Sequence, residues 1–250
     1  MREFFAALPF GSHLVPFVPS SRTIVTLAPP AAIYGYLAIT LAGHLRVRRA
    51  VRTAYTRKVF HFMVFTMATI VELIWHLHGV VVFGGVVSLF VFFAVWRGDG
   101  HPWYEALARP SDAPHRTLFI LVPWFTTALG GFISNVFFTG FASIGYLVCG
   151  WGDAVGEPVG SRWGVHHYRV PSLSGVKAQR SVEGSVAVFL VGSAAAAIGL
   201  WAQGSLLPVA LSVGVACGLA GAIVEAISTH GLDNLTTQVA ASAVAHLLLT

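Results

Sequence analysis

The chain reads as an all-α membrane protein, a polytopic bundle of about seven to eight transmembrane helices, and three observations carry that reading. Of its 250 residues, 56% are hydrophobic and only 10% are charged, against about 25% charged in an ordinary soluble domain. The apolar residues gather into runs close to the roughly 20 residues that a bilayer span needs. The basic residues sit between those runs, not within them.

Seven runs are expected to span, near 24–44, 59–78, 79–96, 117–131, 132–150, 185–203 and 206–227, with a shorter eighth at 235–249. Residues 1–23 hold four phenylalanines but are broken by Pro9, Gly11, Pro16 and Pro19. They read as an interfacial or re-entrant segment, not a cleaved leader. Residues 24–250 then form one membrane domain, with a polar loop at 151–184. Cys149 and Cys217 both lie in or beside apolar runs, so they point to packing, not to a disulfide or a zinc site.

Thirteen of the fifteen basic residues fall in three loops, Arg46 to Lys58, Arg97 to Arg116 and Arg162 to Arg180. The positive-inside rule places these loops in the cytoplasm. The net charge of +5 therefore marks topology, and no basic patch interleaved with aromatics points to nucleic acid. Most of the first loop is topogenic. Arg57, Lys58 and His61 differ, because they share one face at the start of the second run. Glu72, on nearly the same face, is a carboxylate at membrane depth, where it pairs structurally or faces a water-filled interior. These four form a candidate lipid or phosphate entrance.

The longest polar interruption, Val148 to Ser185, carries the densest chemistry. Gly152, Gly156, Gly160 and Gly164 recur every four residues. Such a stripe is either a packing face between helices or a helix start whose free N–H groups receive phosphate. Asp153 and Glu157 interrupt it with charge, which favours the second reading. Arg162, Lys177 and Arg180 supply cations for phosphate. Ser181 suits a helix N-cap with Glu183 in the first turn, and Gly184 permits close approach. Nucleotide binding is thus expected at Gly152, Gly156, Gly160, Arg162, Lys177, Arg180, Ser181, Glu183 and Gly184. No Walker, kinase-loop or dinucleotide fingerprint occurs.

Further on, Glu225 lies near the end of an apolar run and Asp233 opens the final helix. Asp153, Glu225 and Asp233 form a candidate set of oxygen ligands for a hard divalent cation such as Mg2+. Asp153, Glu225 and Lys177 are the candidate catalytic residues.

Four stretches together, TRKVFHF, GDAVGEPVGSRWG, KAQRSVEGS and EAISTHGLDNLTTQ, resemble the polyprenol kinase family, which includes dolichol kinases, phytol kinases and a related diacylglycerol kinase. The resemblance covers about 190 residues, from Arg57 to the C-terminus. It implies a metal-requiring lipid kinase that transfers the terminal phosphate of CTP to the hydroxyl of a membrane lipid alcohol at the cytoplasmic face. Three departures stand out. HHYRVPSL extends the central loop before Ser174, Arg180 stands where the family commonly has lysine, and Gln238 stands where a proline is expected nearby. The wider superfamily makes a phosphatidate cytidylyltransferase the alternative reaction, although its aspartate-arginine signature is missing. A transporter using Glu72 and Glu225 is the alternative of another class.

Overall fold

The computed structural model describes residues 17–173 and 178–250. The expectation for residues 1–16 as an interfacial segment, and every role expected of Lys177, lie outside the described residues.

Helix α1 (Ser21–Arg48) starts where the Ser20 hydroxyl accepts from the Thr23 N–H at 3.1 Å, an N-cap that satisfies one orphan donor. Helix α2 (Thr53–Arg97) is 45 residues long and breaks at His76, whose φ of 51° and ψ of −154° are not helical. Near its start, Thr53 and Thr56 donate to the carbonyls of Glu105 and Ala106. Near its end, Phe93 packs on Trp103 with centroids 5.4 Å apart. Both ends therefore meet the short helix α3 (Pro102–Leu107), so the second leg of α2 returns beside the first.

Helix α4 (Leu118–Phe137) follows, and the chain reverses through Gly140, whose φ is +86°. Helix α5 (Ala142–Leu147) runs through a π-turn at Val148–Gly152 into α6 (Asp153–Trp163). An antiparallel ribbon of β1 (His167–Val170) and β2 (Ala178–Ser181) pairs His167 with Ser181 and Val170 with Ala178. Helices α7 (Val182–Ala202), α8 (Leu207–Ile227) and α9 (Asp233–Leu249) complete the chain. Apart from the ribbon, the described residues form a helical bundle, as the composition predicts.

Five of these helices, α1, α2, α4, α7 and α8, are long and apolar enough to cross a membrane. The expected runs 59–78 and 79–96 are the two legs of α2, with the break at His76. The boundary expected between 131 and 132 is also displaced, because α4 continues to Phe137. Gly130 and Gly131 lie inside it for a packing reason. A Cβ on Gly130 would stand 2.9 Å from the Leu235 Cα of α9, and one on Gly131 would stand 3.0 Å from the Tyr146 hydroxyl.

The same constraint resolves the stripe in the central loop. Gly152, Gly156 and Gly160 face α7: a Cβ on Gly152 would lie 3.2 Å from the Val188 carbonyl oxygen, and one on Gly160 would lie 3.6 Å from the Gly184 Cα. The free helix start expected at Gly152 is absent, since Gly152 is itself helical and the Asp153 N–H donates to the Cys149 carbonyl. The glycines bring α6 against α7 because only a missing side chain lets two helix backbones approach this closely.

Helices α7 and α8 meet in the same way. A Cβ on Gly214 would stand 2.8 Å from the Ala197 backbone nitrogen, and one on Gly218 would overlap Ser193. Because backbone cannot rotate away, Gly218→Val should destabilise the protein by about 1–3 kcal/mol, the usual cost of overpacking. A thermal midpoint in detergent unchanged from wild type would show that the two helices are not in backbone contact.

Candidate active site

At one end of the bundle four helix termini and two connections bring their charges together. On α2, Arg57, Lys58 and His61 lie within one turn and point the same way. On α6, Asp153 and Glu157 are four residues apart and so share a face. The segment after α3 adds Arg109 and Asp112, β2 adds Arg180, the end of α8 adds Glu225, and the start of α9 adds Asp233.

Lys58 is the hub. Its Nζ lies 2.5 Å from Asp153 Oδ2 and 3.3 Å from Glu157 Oε2, and Lys58 is only 5% exposed. Glu157 also meets Arg57 at 3.3 Å and Arg109 at 2.9 Å. His61 Nε2 lies 3.5 Å from Asp153 Oδ2 and 3.4 Å from the Cys149 carbonyl. On the other side, Arg180 bridges Glu225 at 3.1 Å and Asp233 at 2.9 Å.

These pairings set the charge states. Burial pushes the Asp153 carboxyl up, but Lys58, His61 and Arg57 together pull it well below the usual range. Glu157 is likewise raised by burial, yet Arg109, Arg57 and Lys58 bring it down to about 2. His230 packs on the Phe119 ring, 5.1 Å between centroids. Burial, then Arg109 and Arg57, lower it to about 3, so it is neutral at physiological pH.

Asp153, Glu225 and Asp233 each offer a carboxylate oxygen within 4.8 Å of the others. Three oxygens of this kind suit a hard divalent cation. Five carboxylates (Asp112, Asp153, Glu157, Glu225 and Asp233) and four cations (Arg57, Lys58, Arg109 and Arg180) meet here. One buried guanidinium nitrogen, Arg180 Nη1, has no hydrogen-bond partner, whereas Arg109 Nε faces Asp112 Oδ2 at 3.7 Å. Buried donors are normally satisfied, so Arg180 marks a side on which an anion would fit.

The other residues singled out in the sequence are placed elsewhere. Ser181 is the N-cap of α7, accepting from the Gly184 N–H at 3.1 Å, and Gly184 packs on α6. Glu183 binds His166 at 2.7 Å and the Val165 N–H, fastening the ribbon to α7. Arg162 is exposed and lies over the Trp163 ring. Glu72 is buried in the first leg of α2, near Ser143, and makes no ion pair with the cluster. The cluster also includes residues that pattern reading did not select. Glu157 carries a signal, its four-residue spacing from Asp153. Arg109 carries none, because only the fold brings the segment after α3 to this end.

An apolar cavity of about 360 Å³ opens from this cluster, within the range of ligand pockets. Arg57, Lys58, His61, Asp153, His230 and Asp233 line its polar end. Its walls come from both legs of α2, from α4, and from Tyr146.

Among known proteins, the chain is similar to a phytol kinase from Synechocystis sp., 28% identical over 215 residues that cover 83% of this chain and 85% of the relative. No family model matches it. No solved structure matches it either.

The acid limb of stability tests the cluster. A carboxylate whose folded pKa is depressed contributes stability that is complete above its unfolded value and is lost as pH falls through the folded value. For Glu157 that window runs from about 4.5 down to about 2. The thermal midpoint should fall as pH drops through this window, and Glu157→Gln should flatten the fall while lowering the neutral midpoint. An acid limb identical in both proteins would remove Glu157 from the network.

Proposed function

We propose that the chain, similar as it is to a phytol kinase, is a member of the polyprenol and phytol kinase family and transfers the terminal phosphate of CTP to the hydroxyl of a membrane isoprenoid alcohol of the phytol or polyprenol type. The observation that carries this reading is continuity: the ionic cluster and the apolar cavity are one space. A lipid alcohol needs such a space, with a hydrocarbon wall for its chain and charge at the end where its hydroxyl meets phosphate.

In this reading Asp153, Glu225 and Asp233 would hold a divalent cation, which would supply charge neutralisation for the nucleotide's phosphates. Phosphoryl transfer is mostly positioning and electrostatics, and the residues present suit both tasks. Arg57, Lys58, Arg109 and Arg180 face the phosphates. Glu157, now shared by three of these cations, holds them in place before the nucleotide arrives. Lys58 and His61 hold the Asp153 carboxylate oriented toward the polar end of the cavity. The depressed pKa of Asp153 keeps it ionised, as a ligand requires and as a proton donor would not. The ribbon β1–β2 brings Arg180, with Lys177 close by in sequence, over the same end. The loops carrying Arg57, Arg109 and Arg180 are rich in basic residues, which supports a cytoplasmic active site where CTP is available. With α2 counted as two legs, and with α5 through the π-turn and α9 as shorter crossings, the chain would pass the membrane eight times.

CTP labelled in its terminal phosphate should label the lipid product when phytol, farnesol, a longer polyprenol and diacylglycerol are offered. Transfer of label only from the inner phosphate, with phosphatidate required, would make the protein a cytidylyltransferase. Asp153→Asn should lower turnover by far more than tenfold, about 1.4 kcal/mol of barrier, in a folded protein. Retention of a tenth of the activity or more would take Asp153 out of the reaction.

A further inference from the structure

Of the described glycines, Gly84 and Gly85 are the two for which neither packing nor backbone conformation gives a reason. A Cβ on either would meet nothing within 4 Å, and neither has a positive φ; Gly84 is half-buried and Gly85 is exposed. The other open glycines, Gly98, Gly100, Gly140 and Gly204, all have positive φ, and the remaining helical glycines would push a Cβ against a neighbour. A glycine in a helix interior is disfavoured relative to alanine, so a pair of them side by side in the second leg of α2 calls for a cause.

The cavity supplies one. Gly84 and Gly85 line it, together with Leu77, Val81 and, across from them on α4, Ala128 and Phe132. One hydrogen-bonded link spans the gap nearby: the Trp124 indole N–H donates to the Ser88 hydroxyl at 2.7 Å, and Ser88 in turn donates to the Gly84 carbonyl at 2.6 Å. Trp124 thus stands at a set separation from the second leg, and beyond it the glycines leave the far half of the cavity open. From Phe119 beside His230 to Phe132 at the far end is thirteen residues of α4, about 20 Å at 1.5 Å per residue. That is somewhat more than one leaflet, about half of a 30 Å hydrocarbon core.

We propose that Gly84 and Gly85 are specificity-determining residues: by leaving out their side chains they keep the far half of the cavity open, so that it takes one branched apolar chain about as long as a leaflet is deep. The occupant is the chain of the acceptor alcohol, and in this the inference rests on the kinase reading. A side chain at the half-buried position 84 would project into the path of that chain and shorten what fits, and one at the exposed position 85 would narrow the rim.

Equilibrium binding of geraniol, farnesol and phytol, alcohols of increasing length, to the purified full chain in detergent tests this by microscale thermophoresis. The wild type should bind phytol more tightly than geraniol. In Gly84→Leu and Gly85→Leu the ratio of phytol affinity to geraniol affinity should fall at least tenfold, while Leu89→Ala, at an exposed position of the same leg, should keep the wild-type ratio. Gly84→Ala and Gly85→Ala should lower the ratio by less and leave the thermal midpoint at or above the wild type, opposite to a glycine needed for packing. They decide the matter if a leucine variant does not fold. An unchanged ratio, an equal loss for all three alcohols, or a wild type that binds diacylglycerol but not phytol would overturn the proposal. The kinase reading fails separately: graded binding without transfer of the terminal phosphate would leave the glycine pair as the gauge of a cavity that serves another reaction.

Discussion

The structure depends on burying opposite charges together where Lys58 of α2 meets Asp153 and Glu157 of α6. Removing one partner of a buried pair costs about 3–5 kcal/mol, because the other is left charged without compensation. That penalty locks two helices, almost a hundred residues apart in sequence, in one register at their polar ends. Arg57 and Arg109 share Glu157, so the segment after α3 is held to the same point. Asp153 could not converge with Glu225 and Asp233 if this junction slipped by a helical turn, about 5.4 Å.

Convergence also needs α6, α7 and α8 to lie unusually close. Glycine does this twice, with Gly152, Gly156 and Gly160 on one side of α7 and with Gly214 and Gly218 on the other. Between membrane helices there is no hydrophobic drive to associate, so close van der Waals contact carries the packing. The result is a stiff three-helix block that presents Asp153 and Glu225 from neighbouring helix ends. Arg180 ties the block to Asp233 of α9.

The other half of the bundle is looser. Between the second leg of α2 and α4 the contacts center on Trp124, which bonds Ser88 and packs on Phe92 with centroids 4.6 Å apart. The space left over is the cavity. A tight block that fixes charge and a loose one that leaves room for hydrocarbon meet at Arg57, Lys58, His61, Asp153 and Asp233, which belong to both the cluster and the cavity lining. This division matches the needs of a substrate whose reactive end is polar and whose remainder is apolar.

The sequence by itself determined the helical membrane class, because so few charges leave no soluble alternative. It also singled out Asp153, Glu225 and Asp233, since a carboxylate beside an apolar run is costly wherever it lies, and the three oxygens do come together. It determined the N-cap at Ser181, a matter of three neighbouring residues. Where helices end inside continuous apolar runs was not legible: the break at His76 and the continuation of α4 through Gly130 and Gly131 depend on what packs alongside. For the same reason only the tertiary structure decided that the glycine stripe faces α7, while Gly84 and Gly85 face a cavity. Arg109 joins the cluster for a related reason, since a partner about fifty residues away on another element leaves no periodic trace in the chain. Local chemistry is written in composition and spacing; which surface a glycine opens, and which charge an arginine meets, is a property of the neighbour.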